Sequence, residues 1–174
     1  MIAQDLSSYG TDLYKENRLA QLIDKMAQVE GVEWIRLHYA YPAGFPKDLL
    51  SVIARHSNVC KYIDLALQHI SDHMLSVMRR KITKQQTLEL LSLIRQQVPG
   101  IHIRTTFIAV HPGETEEDLD GIAELAEKII NIARQKNGAR NGRFSVSVSI
   151  SNFVPKPFTP FQWTSQNSPG EFAS

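Results

Sequence analysis

Ile63-Asp64-Leu65-Ala66-Leu67-Gln68-His69-Ile70-Ser71-Asp72 decides how this chain is read. An apolar run that begins at Val59 ends here in a group of polar side chains. From Val59 to Leu67 only Lys61 and Asp64 carry charge, the pattern of a strand buried on both faces of a parallel sheet. Gln68, His69, Ser71 and Asp72 then stand at its carboxyl end, where a parallel sheet gathers ligand-binding groups. Ser71 suits the N-cap of a short helix carrying Leu75 and Met78.

The same transition from apolar strand to polar turn recurs along the chain. Trp34 to Tyr39 reads as a strand that runs into Tyr41-Pro42, with Gly44 and Pro46 completing a turn. Ile101 to Val110 reads as a strand that runs into His111-Pro112-Gly113-Glu114-Thr115. Ile2-Ala3-Gln4-Asp5 has the look of a strand end alone. Helical spacing lies between these stretches: Leu19, Leu22, Ile23 and Met26 predict a helix from about Asn17 to Val29. Leu49, Leu50, Ile53 and Ala54 form a second apolar face. Thr83 caps a third helix that Pro99-Gly100 ends, and a fourth runs from Thr115 to about Lys136 with an acidic first turn. The alternation Ser-Val-Ser-Val-Ser-Ile within Phe144–Val154 predicts a last strand.

Strand followed by helix, repeated, predicts an α/β fold with a parallel sheet and right-handed crossovers. Residues 1–163 are expected to form the core. The prolines of Pro155–Pro160 predict an extended segment, and residues 164–174 a flexible polar tail. Met1-Ile2-Ala3 is too short to be a strand, so the chain is expected to be part of a longer one that lacks its first strand.

Bulk composition narrows the function. With 19 Lys and Arg against 18 Asp and Glu, the net charge of +1 gives no general pull toward nucleic acid or membrane. No apolar run approaches the roughly 18 residues that span a bilayer, and no signal peptide opens the chain, so a cytoplasmic location is expected. The single cysteine, Cys60, excludes an intrachain disulfide. Its position inside a strand suits a small buried apolar residue. His69 and His73 share helical spacing, but no third ligand lies near them in sequence, and no metal site is read from them.

Four stretches carry a family resemblance: AQDLSSYGTDLY (Ala3–Tyr14), WIRLHYAYPAGFP (Trp34–Pro46), CKYIDLALQHISDHMLSVMRR (Cys60–Arg80) and IRTTFIAVHPGETEEDL (Ile103–Leu119). Over residues 1–119 the chain resembles the radical S-adenosylmethionine (SAM) methylthiotransferases, in particular those that modify an aspartate of a small-subunit ribosomal protein. Over about 118–163, DLDGIAELA (Asp118–Ala126) and SVSISNFVPKPFTPFQW (Ser147–Trp163) resemble another radical SAM group, the one with a cobalamin-binding-type domain. The resemblance implies a partial (β/α) barrel, here without its first strand and cluster loop. It implies two cofactors, SAM and a four-iron, four-sulfur cluster held by Cys-x-x-x-Cys-x-x-Cys. That motif is absent from the sequence, and Cys60 cannot stand in for three thiolates. The implied partner is the ribosomal protein substrate; an exposed sheet edge also suggests a homodimer.

The resemblance also implies which residues meet SAM. Gln4 and Asp5 face its amino-acid portion or the cluster region, with a loop cap the alternative for Asp5. His38 lines the cavity floor or fills the interior. Gln68 and Ser71 suit the ribose or the carboxylate, and Arg80 pairs with a carboxylate. Thr105 opens the strand that leads to the adenine turn. There the family reads Gly-x-Pro-Gly-Glu-Thr, whereas this chain has Val110-His111-Pro112-Gly113-Glu114-Thr115, which crowds the approach. Glu114 is expected to brace this turn. Ser151, Asn152 and Phe153 lie where the last strand meets adenine, with Phe153 a stacking wall. No catalytic residue is assigned.

Two other readings compete. One is a hybrid or engineered non-catalytic α/β barrel fragment with at most weak SAM binding. The other is an unrelated α/β barrel enzyme that uses His38, Asp64 or His111 for acid–base work.

Overall fold

The computed structural model describes residues 1–3, 5–109, 111, 113–137, 149–152, 154–155, 157–158 and 162–163. In chain order, a 3-10 turn at Leu6–Ser8 precedes α1 (Thr11–Tyr14), α2 (Leu19–Ala27), α3 (Leu49–Arg55), β1 (Tyr62–Asp64), α4 (Asp72–Val77), α5 (Lys84–Gln97), β2 (His102–Arg104), β3 (Thr106–Ala109), α6 (Glu116–Asn137) and β4 (Ser149–Asn152). The chain forms two compact units. Met1–Leu67 with Lys81–Thr105 is the first, and Gln68–Arg80 with Thr106–Ser174 is the second.

In the first unit, β1 pairs in parallel with β2, Asp64 opposite Arg104. On its other side β1's strand segment meets residues 35–40 through two parallel bridges, Ile35 with Val59 and Ala40 with Leu65. The strand expected at Trp34–Tyr39 is therefore present only as an extended, bridged segment. The register explains this: six steps from Val59 to Leu65 oppose five from Ile35 to Ala40. One surplus residue breaks the ladder as a bulge does, and Tyr39, with φ of 61°, turns the backbone where pairing resumes.

In the same unit α2 packs on α3 and α3 on α5. In α2, Leu19, Ala20 and Ile23 are the buried residues, at the three-to-four spacing that was expected. The helix starts at Leu19 rather than Asn17 because Asn17 is used as a local cap, its Oδ1 accepting from Leu19 N at 3.0 Å. α5 begins with a capping box: Thr83 Oγ1 accepts from Gln86 N at 3.2 Å, and Gln86 Oε1 accepts from Thr83 N at 3.0 Å. Ile23, Leu50, Ile53, Ile63, Leu65 and Ile94 form the fully buried centre.

In the second unit, β3 and β4 pair in parallel from Thr106–Ser149 to Ala109–Asn152. Gln68 bridges Phe107 on the other edge of β3. Ser71 caps α4, accepting from Met74 N at 3.4 Å, as its sequence position predicts. Ile70, Met74, Phe107, Ile122 and Leu125 are buried. The last strand is described only at Ser149–Asn152; the remainder of the Phe144–Val154 expectation and the tail 164–174 lie outside the described residues. All described strand pairings are parallel. Among the described residues no helix is long and apolar enough to cross a membrane.

Candidate functional site

Each unit carries a cluster of polar side chains. In the first, alternation decides which residues share a face. Ile35 and Leu37 are buried, so Arg36 and His38 project to the opposite side of the extended segment. In the next strand segment Ile63 and Leu65 are buried, leaving Tyr62 and Asp64 on the side of Arg36 and His38. The β1–β2 register then sets His102 beside Tyr62 and Arg104 beside Asp64. Two rows of three therefore cross the sheet: Arg36, Tyr62, His102, and His38, Asp64, Arg104.

Contacts within the rows are direct. Arg104 Nη1 donates to Asp64 Oδ2 at 2.8 Å, and His38 Nδ1 lies 3.7 Å from the same oxygen. The Asp64 carboxylate is buried, with 5% of its side chain exposed, while 54% of the Arg104 side chain faces solvent. The bond to Asp64 raises the Arg104 pKa above its ordinary value. The Arg36 guanidinium sits 3.9 Å over the Tyr62 ring. The Tyr62 hydroxyl is buried and has no hydrogen-bond partner among the described residues.

The turn after Gln4 is fastened to the end of segment 35–40. Asp5 Oδ1 accepts from Ser7 N at 2.9 Å, and Asp5 Oδ2 from Ser8 Oγ at 2.6 Å. Ser7 Oγ in turn accepts from Tyr41 N at 2.9 Å, and Leu6 N donates to Tyr39 O at 3.0 Å. Asp5 is thus the loop cap that its type allowed.

In the second unit two carboxylates hold the polar turns. The His69 ring is fully buried, and its Nε2 lies 2.7 Å from Glu114 Oε1. Its Nδ1 accepts from Ser71 N at 3.0 Å. A nitrogen that accepts carries no proton, so the ring is the neutral Nε2–H tautomer and donates to Glu114. Glu114 Oε2 accepts from His111 N at 3.1 Å, which closes the turn where Gly113 has φ of 85°. Glu114 braces this turn, as the sequence led us to expect.

Asp118 is the second carboxylate. It accepts from Ser71 Oγ, from Thr115 N at 3.0 Å and from Thr115 Oγ1 at 2.8 Å, with His73 Nδ1 at 3.2 Å. Burial alone would raise its pKa, but the hydrogen bonds from Ser71, Thr115 and His73 outweigh it and hold the carboxyl well below its usual range. His69 and His73 therefore serve different carboxylates rather than a common ligand.

The residues singled out in the sequence are distributed as follows. His38 lies on the face of the first unit. Thr105, in the same unit, accepts from Leu67 N through Oγ1 at 3.4 Å. Gln68, Ser71 and Arg80 belong to the second unit. Gln68 has φ of 70°, and its backbone bonds both Thr106 O and Ile108 N at the edge of β3. Ser71 is engaged with Asp118. The Arg80 amide donates to Leu75 O at 2.7 Å, closing α4. Ser151 and Asn152 lie in β4 opposite Ile108 and Ala109. Gln4, Val110 and Phe153 lie outside the described residues. Sequence reading did not single out Arg36, Tyr62, Arg104 or Asp118. For the first three, the signal was the polar alternation Arg36/His38, Tyr62/Asp64 and His102/Arg104 about Leu37, Ile63 and Ile103.

Residues 5–126 match the family model of the radical SAM superfamily. The chain belongs to the radical SAM superfamily. Among curated relatives, this radical SAM chain is 51% identical over 158 residues to the ribosomal protein uS12 methylthiotransferase RimO of Phocaeicola vulgatus, which covers 91% of the chain and 35% of the relative. To RimO of Bacteroides thetaiotaomicron it is 56% identical over 128 residues, covering 74% and 29%. The chain thus spans about a third of the length of the RimO relatives it matches. The longer match extends past the 119 residues that carry the methylthiotransferase resemblance. The solved radical SAM methyltransferase TsrM of Kitasatospora setae, with cobalamin and a [4Fe-4S] cluster bound, is similar at a TM-score of 0.48 and 16% identity, over 78% of this chain and 24% of that one. Within the cobalamin-type resemblance over about 118–163, residues 138–148, 153, 156 and 159–161 lie outside the described residues.

Proposed function

We propose that this chain is the core of a radical SAM methylthiotransferase whose substrate is an aspartate of ribosomal protein uS12. The observation that carries this reading is the 51% identity to RimO over 91% of the chain. Residues 1–163 supply the core in this reading, and a ribosomal substrate places the protein in the cytoplasm.

The cofactors of this family are SAM and a four-iron, four-sulfur cluster. The cluster finds no fit among the residues present. Cys60 is the one cysteine of the sequence and is only partly buried. Among the described residues no three His, Cys, Asp or Glu side chains come together as a metal site. In the second unit we assign SAM to Gln68, at the edge of β3, with Ser71, Arg80, Ser151, Asn152 and Phe153; the resemblance further implies Gln4, His38 and Thr105 of the first unit. Bound SAM supplies the sulfonium whose reductive cleavage starts the chemistry of the family; the contribution of this chain is to hold and orient it.

It follows that the 174-residue chain by itself does not cleave SAM. Anaerobic reconstitution with iron and sulfide, then dithionite and SAM, should yield no 5′-deoxyadenosine. Formation of that product contradicts the proposal. The missing three-cysteine motif equally favours the second reading, a hybrid or engineered fragment without catalysis. SAM calorimetry separates the two, since such a fragment binds SAM weakly or not at all.

A further inference from the structure

We propose that Arg104, oriented by Asp64, is the group that receives the side-chain carboxylate of the substrate aspartate; this rests on the methylthiotransferase reading above. Two rows of side chains cross the sheet face of the first unit. Among the described residues of these rows, Arg36 and Arg104 carry positive charge beside one carboxylate, Asp64. Asp64 is buried and already answered by Arg104 at 2.8 Å. The two rows therefore carry a net positive charge, with His38 and His102 as further polar neighbours.

Arg104 is arranged as a receptor rather than as a closed ion pair. Only its Nη1 is bonded to Asp64, and 54% of its side chain remains exposed. A guanidinium has five N–H donors in a planar fork, and fixing one edge on a buried carboxylate presents the others at a defined angle. A second carboxylate is the ligand that this fork geometry matches. Next to this row, Arg36 lies over the Tyr62 ring and forms a flat wall for the substrate backbone. An asparagine in place of the substrate aspartate has no charge to offer and is rejected by the same geometry.

The test is calorimetric titration of the chain with two short uS12 peptides, one carrying the target aspartate and one with asparagine at that position. Arg104→Gln and the double variant Asp64→Asn/Arg104→Gln are measured alongside, each checked for folding by circular dichroism. The double variant avoids leaving Asp64 buried without its cation. The expected result is that the unaltered chain prefers the aspartate peptide by about tenfold or more, the discrimination of one charged hydrogen-bonded group. The folded variants should lose that preference while retaining the weaker binding of the asparagine peptide. Equal binding of both peptides by the unaltered chain overturns the proposal, as does an undiminished preference in either folded variant. SAM binding is measured on the same preparation. If SAM binds and the peptides are not discriminated, the Arg104 assignment alone fails. If the peptides are discriminated and SAM does not bind, the methylthiotransferase reading fails instead.

Discussion

The fully buried imidazole of His69 donates from Nε2 to Glu114 Oε1 across 2.7 Å, while its Nδ1 accepts from Ser71 N. One neutral ring thereby ties the start of α4 to the turn before α6. Removing the acceptor leaves a buried N–H without a partner. Glu114→Ala should lower stability by about 1–3 kcal/mol, read from urea unfolding. Glu114→Gln keeps one acceptor for the ring while its NH2 faces the His111 N–H, and should cost less than the alanine variant. Equal losses in the two variants would show that the hydrogen bond is not what matters.

Asp118 makes the second unit sensitive to acid. Its folded pKa is depressed below the ordinary value of 3.8. The stabilisation is therefore complete above that value and lost as the pH falls through the folded pKa. Asp118→Asn should lower stability by about 1.5–3 kcal/mol at neutral pH, the range for hydrogen bonds to a charged group. The difference between the variant and the parent chain should shrink below about pH 4. Unfolding curves from pH 7 to pH 3 check this, and a constant difference contradicts it.

The capping box of α5 gives a local prediction. Thr83→Ala removes the acceptor for Gln86 N and should cost about 1 kcal/mol. Thr83→Ser, which keeps the hydroxyl, should stay close to the parent. Thermal unfolding of both distinguishes them.

These three predictions rest on features that differ in how far the sequence disclosed them. Thr83 and Ser71 are short-range signals: a hydroxyl before a helical pattern, with its partner three residues on. They were legible, as were the alternation of strand and helix and the bracing by Glu114 of its own turn. The break in the strand at Trp34–Tyr39 was not, because it depends on one surplus residue in a neighbouring strand, which no window on residues 34–39 contains. Likewise Asp64 and Arg104 are adjacent only through the register of β1 and β2. Ser71 and Asp118 each looked like a local helix-start residue, and the bond between them appears only in the folded chain.

The central claim is that this chain carries the SAM-binding part of a radical SAM enzyme without the means to hold its cluster. Calorimetric titration of the folded 174-residue chain with SAM tests it most directly. The account predicts saturable binding that weakens when Gln68 is changed to Ala, with circular dichroism unchanged. A folded chain that shows no heat of binding with SAM contradicts it.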